Sequence, residues 1–253
     1  MRTSTRELLL YSLLAGIVLI SCTRKKDDVN PQPANASVEF DFMHFVGSNE
    51  VEFNTIKYTN AYGNIYSVEN LKYFVSNITL HRADGSVFLI DEEHYVDALD
   101  ESTHTFTPQT KVPVVDYTAI SFVFGLNAEK NITGAYPNPP ENNMEWPVPM
   151  GGGYHYMKLE GKLDSAGITK NYQAHTGATG GNQNFITVNL PNSGFTASSS
   201  GVTVTLKMNI NNWWVSPNTL DLNTMTMIMG NQAMQVKLHD NGKEDVFSVL
   251  SID

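Results

Sequence analysis

From Val38 onward, apolar and polar residues alternate with a period of two. Val38, Phe40, Phe42 and His44 fall on one face, and Glu39, Asp41 and Met43 on the other, the pattern of a half-buried strand. Similar runs cover 71–81, 87–99, 117–125, 154–163, 184–190 and 201–210. Turn clusters such as Ala83-Asp84-Gly85 separate them. Strands at this spacing, with no strand–helix alternation and no internal repeat, predict an all-β fold. The expected architecture is an antiparallel β-sandwich with at most one or two short helices. One helix is expected around 231–239, where Met234 and Leu238 are four apart and Asn241-Gly242 supplies a stop. The Pro- and Asn-rich stretch 128–145 reads as a long loop. Loops of that length are usually functional or mobile, and this one runs directly into Trp146.

The N-terminus is of another kind. Arg2 and Arg6 precede an apolar stretch from Leu8 to Ile20, well short of the ~20 residues that span a bilayer as a helix. This is the pattern of a secretion signal. It ends in Leu19-Ile20-Ser21-Cys22, which resembles a bacterial lipobox, and Cys22 is the chain's one cysteine. The expected division is a lipoprotein signal peptide over 1–21, a lipidated Cys22 with a flexible linker over 22–37, and one β-sandwich domain over 38–253. Acyl chains on Cys22 would anchor the protein to a membrane. That places it in the bacterial cell envelope, periplasm-facing or surface-exposed. With Cys22 lipidated, no thiol remains for a disulfide, a cysteine zinc site or a nucleophile. The formal net charge of −10 argues against nucleic acid as a partner.

Candidate chemistry rests on histidines. His44 is in phase with Phe40 and Phe42, and His94 shares a face with Ile90 and Val96. Alternation sets His155 with Met157 and Leu159, opposite Tyr154, Tyr156 and Lys158. His175 precedes Gly177 in what reads as an accessible loop. A histidine on an apolar face needs a hydrogen-bond partner or a metal, because an unpaired buried polar atom costs about 1–3 kcal/mol; both readings stand for each of the four. Imidazoles near Met and Trp form a soft-to-borderline set, the chemistry that suits copper. If imidazoles hold copper, affinity falls as pH drops through the histidine range, about 6.5 unperturbed. His81 and His104 sit at strand ends among polar residues and read as solvated. The helix dipole accounts for His239. Met225, Met227, Met229 and Met234 suit Cu(I) by softness, or serve as adaptable core filler. No metalloprotease helix motif, nucleophile elbow or phosphate-cradling loop is present, and nothing spaces a hydrolase triad, so no enzyme activity is expected. A rival reading makes Tyr154, Tyr156 and Trp146 stacking platforms of a lipoprotein that binds a glycan or protein.

Several segments carry a resemblance. Met144-Glu145-Trp146, Gly153-Tyr154 through Lys158-Leu159-Glu160-Gly161, and His175-Thr176-Gly177 are similar in order and spacing to the MbnP-like copper-binding domain, named after a methanobactin-associated protein. Tyr58 to Asn64, Leu71 to Leu80, Asn241-Gly242 and Val246-Phe247 extend the likeness over most of the mature chain. The resemblance implies a secreted, mostly β copper-binding domain. In that family a tryptophan oxidised to kynurenine can join histidines at the copper, which would make Trp146 the oxidised residue. It also implies a di-haem oxidase or a copper-uptake receptor as partner. The chain departs from the pattern in one respect: Pro147, Val148 and Pro149 follow Trp146, where a histidine would be expected beside a ligating kynurenine.

Overall fold

The computed structural model describes residues 34–253. The expected signal segment and Cys22 lie outside the described residues. Nine principal strands and one helix make up the fold. They are β1 (Val38–Val46), β2 (Asn70–His81), β3 (Val87–Asp97), β4 (Ala119–Phe124), β5 (His155–Ser165), β6 (Ile168–Gly177), β7 (Ile186–Leu190), β8 (Val202–Asn209), α1 (Gln232–Gly242) and β9 (Phe247–Ile252). Pairing starts with Asn35–Ala36 against Val112–Pro113, slightly upstream of the expected domain start at Val38.

Two large sheets pack face to face. In the first, the long strand β2 pairs with β3 along one edge. Along its other edge it pairs with β4 and, nearer its start, with β5; β7 extends the sheet beyond β4 and β6 beyond β5. The second sheet runs β9-β8-β1, with short strands Asn49–Glu50 and Thr105–Phe106 on β1. Most pairs are antiparallel, as expected, but β1 and β8 run parallel from Val38↔Val202 to Phe45↔Asn209. The inward residues of both sheets meet in one core, with aromatic contacts across it such as Phe122 with Phe247 and Phe42 with Tyr73. Trp213 and Trp214, adjacent in sequence, are both fully buried there. Among the described residues no helix is long and apolar enough to cross a membrane.

A smaller aromatic cluster covers the opposite face of the first sheet. Phe74, Tyr95, Met144, Tyr154 and Tyr156 form it, with Tyr136 against them. It ties down the long loop. Tyr154 Oη accepts from the Tyr136 amide at 2.8 Å, and Asn131 Nδ2 donates to Tyr156 Oη at 3.0 Å.

Helix α1 forms where expected but runs through its supposed stop. Asn231 caps it, its side chain accepting from the Met234 amide. Asn241 and Gly242 are helical and buried. A β-carbon on Gly242 would lie 2.4 Å from Ile186 and 2.6 Å from Trp213, and the Asn241 side chain donates to the carbonyls of Trp213 and Asn218. The Asn-Gly pair serves close packing of α1 on the core, and no left-handed cap forms there.

Candidate metal centre

His155 opens β5, and the ladder between β5 and β6 fixes where its ring goes. His155 pairs with Gly177, but Met157 pairs with Thr176 and Lys158 with His175. Tyr156 is therefore an extra residue on β5, a β-bulge. The bulge reverses the face expected for His155. Met157 and Leu159 point into the core. His155 instead joins the face of Lys158, Glu160, His175 and Gly177. His175 is not in a loop: it sits on β6, near its end.

On this face the two imidazoles meet, ring centroids 5.1 Å apart and nearly perpendicular at 83°. Each has one nitrogen already committed. His155 Nδ1–H donates to the Met144 carbonyl at 2.9 Å, which leaves Nε2 as the lone-pair nitrogen. That atom is buried and has no partner. His175 Nε2 bonds Glu160 Oε1 at 2.6 Å, and Glu160 also accepts from Asn70 at 3.1 Å. The His175 hydrogen bond, first of several contacts, holds the Glu160 carboxyl below its ordinary range. A carboxylate on one imidazole nitrogen leaves the other free to ligate; this carboxylate–histidine arrangement is the usual support of a metal-bound histidine. Burial, with a smaller contribution from the Lys158 charge, pushes the His155 ring down to about 3. It stays neutral and ready to ligate far below the pH at which an exposed histidine protonates. For this residue, proton competition with a metal moves from the expected region near 6.5 to about 3.

Trp146 closes the site. Its amide donates to the Gly153 carbonyl at 2.8 Å, which folds the loop back over the start of β5. The indole lies edge-on to His155 with centroids 4.7 Å apart. It is 1% exposed, and its Nε1 has no partner. Gly177 makes room for it, since a β-carbon there would stand 2.6 Å from the indole. Sequence reasoning missed Gln235 altogether. This fully buried α1 side chain donates to the carbonyls of His175 (2.8 Å) and Ile228 (3.0 Å) and accepts from the Gly177 amide (3.3 Å). It stitches the helix to the backbone on either side of the site. A polar residue inside a helix, three before Leu238, gave no signal for it in the sequence.

Over His175 opens a cleft of about 260 Å³ lined by Met150, Met227 and Met229. Met225, in the same sequence run, is buried in the core. The methionine run therefore divides between core filler and a thioether-lined mouth.

The other candidates lie elsewhere. His94 is sandwiched between Phe42 and Phe106, with ring centroids at 6.1 and 4.7 Å, and its Nε2 bonds the Thr103 carbonyl at 2.8 Å. That is a satisfied core histidine, and it does not join His155. His44 faces inward from β1 as its phase predicts, but it meets Tyr73 and His104. His104 is not simply solvated: its Nε2 is buried without a partner. His81 is half-buried and bonds Ser121 at 2.8 Å. Tyr154, Tyr156 and Trp146 are fully buried, which removes the stacking platforms that the glycan-binding reading needed. Among the described residues no three His, Cys, Asp or Glu side chains are grouped to hold a metal ion, so the pair relies on further ligands of another kind.

The sequence profile of the MbnP family matches residues 35–234. The chain belongs to the MbnP family. Among solved structures it is similar to MbnP from Methylosinus trichosporium, at 14% identity and a TM-score of 0.56. The match covers 87% of this chain and 98% of that one; at this identity the likeness is one of fold. No curated protein matches the chain. The matched MbnP-family region contains both strands of the bulged ladder and Trp146, and Gln235 lies one residue beyond it.

Proposed function

We propose that this MbnP-family protein is an extracytoplasmic, lipid-anchored copper-binding protein that captures copper or hands it on, and that it is not an enzyme. His155 and His175 are the ligands, and Trp146 is the indole beside them. The observation that carries this reading is the pairing of two imidazoles, each with one nitrogen fixed by a hydrogen bond, with the second nitrogen of His155 buried and without a partner. Metal–nitrogen bonds of about 2.0–2.1 Å put each ring centre about 3 Å from the ion, so two ligating rings stand about 5–6 Å apart, the spacing found here. The thioethers of Met150, Met227 and Met229 over His175 suit the softer oxidation state, Cu(I). An oxidised Trp146 would place new polar atoms next to His155, and a di-haem oxidase or a copper-uptake receptor fits the family as partner.

Copper titration of the purified protein tests the reading. His155→Ala and His175→Ala are each expected to weaken binding by at least about 100-fold, with His239→Ala unchanged. Equal affinity in the three variants would sink the proposal.

Anchoring is tested separately. Cys22→Ser is expected to release the protein from the membrane fraction into the soluble one, since the chain has no other thiol. Retention of a lipid-labelled band in that variant would refute the lipobox reading.

A further inference from the structure

A second pair of imidazoles lies in the other sheet. His44 is on β1, and His104 follows the turn Glu101–Thr103. Backbone bonds pin both residues: the Phe42 amide donates to the His104 carbonyl and the Val51 amide to the His44 carbonyl, each at 2.9 Å. The rings stand 5.2 Å apart at 63°, almost the separation of His155 and His175. They do not hydrogen-bond each other. His104 Nε2 is buried without a partner. His44 Nε2 bonds Tyr73 Oη at 3.0 Å, and its Nδ1 has no partner among the described residues. Both rings line a cleft of about 500 Å³ that also presents the carboxylates of Glu50 and Glu101.

We propose that His44 and His104 form a second metal site, a two-histidine one for a borderline divalent ion of the Zn2+ or Cu2+ type, with water completing its coordination and the Glu50 and Glu101 carboxylates lining the same cleft as counter-charge. Two neutral imidazoles and water oxygens are donors that such ions accept, and the two carboxylates of the cleft offset the ion's charge. Tyr73 Oη on Nε2 of His44 fixes the ring and leaves Nδ1 for the metal, the role that Glu160 plays for His175. An ion there would satisfy the buried His104 Nε2, which otherwise carries the penalty of an unmade hydrogen bond.

The test uses the full-length chain carrying His155→Ala and His175→Ala, so the result does not depend on whether copper binds at the first site. Calorimetric titration with Zn2+ is expected to show about one equivalent bound, with a metal-dependent rise in melting temperature. Adding His104→Gln, which keeps the volume and removes the ring, is expected to weaken that binding at least about tenfold and abolish the rise. The combined change Glu50→Gln with Glu101→Gln is expected to weaken it without touching the core. Absence of stoichiometric Zn2+ and Cu2+ binding in the double variant would overturn the proposal. So would undiminished binding after His104→Gln. If His104→Gln does not fold, the carboxylate variant decides: unchanged affinity there, together with Cu2+ spectra lacking nitrogen ligation in the double variant, would equally overturn it.

Discussion

Trp146→Ala is expected to be the most damaging single change around the His155–His175 pair, costing about 3–5 kcal/mol of stability. The indole is sealed between His155 and Gly177, and removing it empties a space that the strand ends cannot fill. For a domain of this size that loss corresponds to a fall in melting temperature of about 10 °C or more. Trp146→Phe, which refills part of the space, is expected to lose less. The same contact can be attacked from the other side. Gly177→Ala keeps the indole but sets a methyl group 2.6 Å from it, and overpacking of this kind costs about 1–3 kcal/mol. Because Gly177 pairs with His155 across the ladder, the alanine variant is also expected to weaken copper binding while both histidines remain. A melting temperature within a degree of wild type in Gly177→Ala would mean that the indole does not rest on that residue.

Acid is expected to unfold the metal-free protein early. In the folded state His44 and His155 are neutral down to about 3; in the unfolded chain each takes a proton near 6.5. Between those values the unfolded state binds more protons, so stability is full above about pH 6.5 and falls as pH drops toward 3. Each histidine contributes a slope of up to about 1.4 kcal/mol per pH unit, and the two together about 2.7. Burial lowers His94 in the same sense. The measurement is the urea midpoint at a series of pH values from about 7.5 to about 4.5. The midpoint is expected to fall steadily, and His44→Gln or His155→Gln should flatten the dependence by one histidine's share. A midpoint that stays constant across the range would mean that these rings take up protons inside the fold.

The sandwich was legible because several strands alternate: β1 and β7 bury every second residue or nearly so, and β2 and β8 do so on either side of a buried central run. β6 was not legible. Its first four residues, Ile168 to Asn171, are all exposed, so the apolar beat that marks a strand is missing, and His175 was read as part of a loop. The parallel pairing of β1 with β8 joins residues more than 160 positions apart, a choice made by core packing and not by local pattern. His155 was legible as a residue in need of a partner, but the face assigned to it was wrong. A binary pattern assumes an unbroken ladder, and Tyr156 breaks it. The meeting of His44 with His104 depends on the pairing of Thr105–Phe106 with β1, which neither flanking sequence announces.

The bulge at Tyr156 means that the first histidine pair depends on a count of residues as well as on their identity. With the register of Lys158↔His175 and Leu159↔Ala174 held fixed, an unbulged strand would turn the His155 ring inward beside Met157, away from His175. A relative without the surplus residue would hold its histidine on the His175 face only by placing it directly before the counterpart of Met157, opposite Gly177. In an alignment of the family, a one-residue gap at Tyr156 would thus leave the histidine facing its partner, whereas a histidine two places before the counterpart of Met157 needs the bulge to reach it.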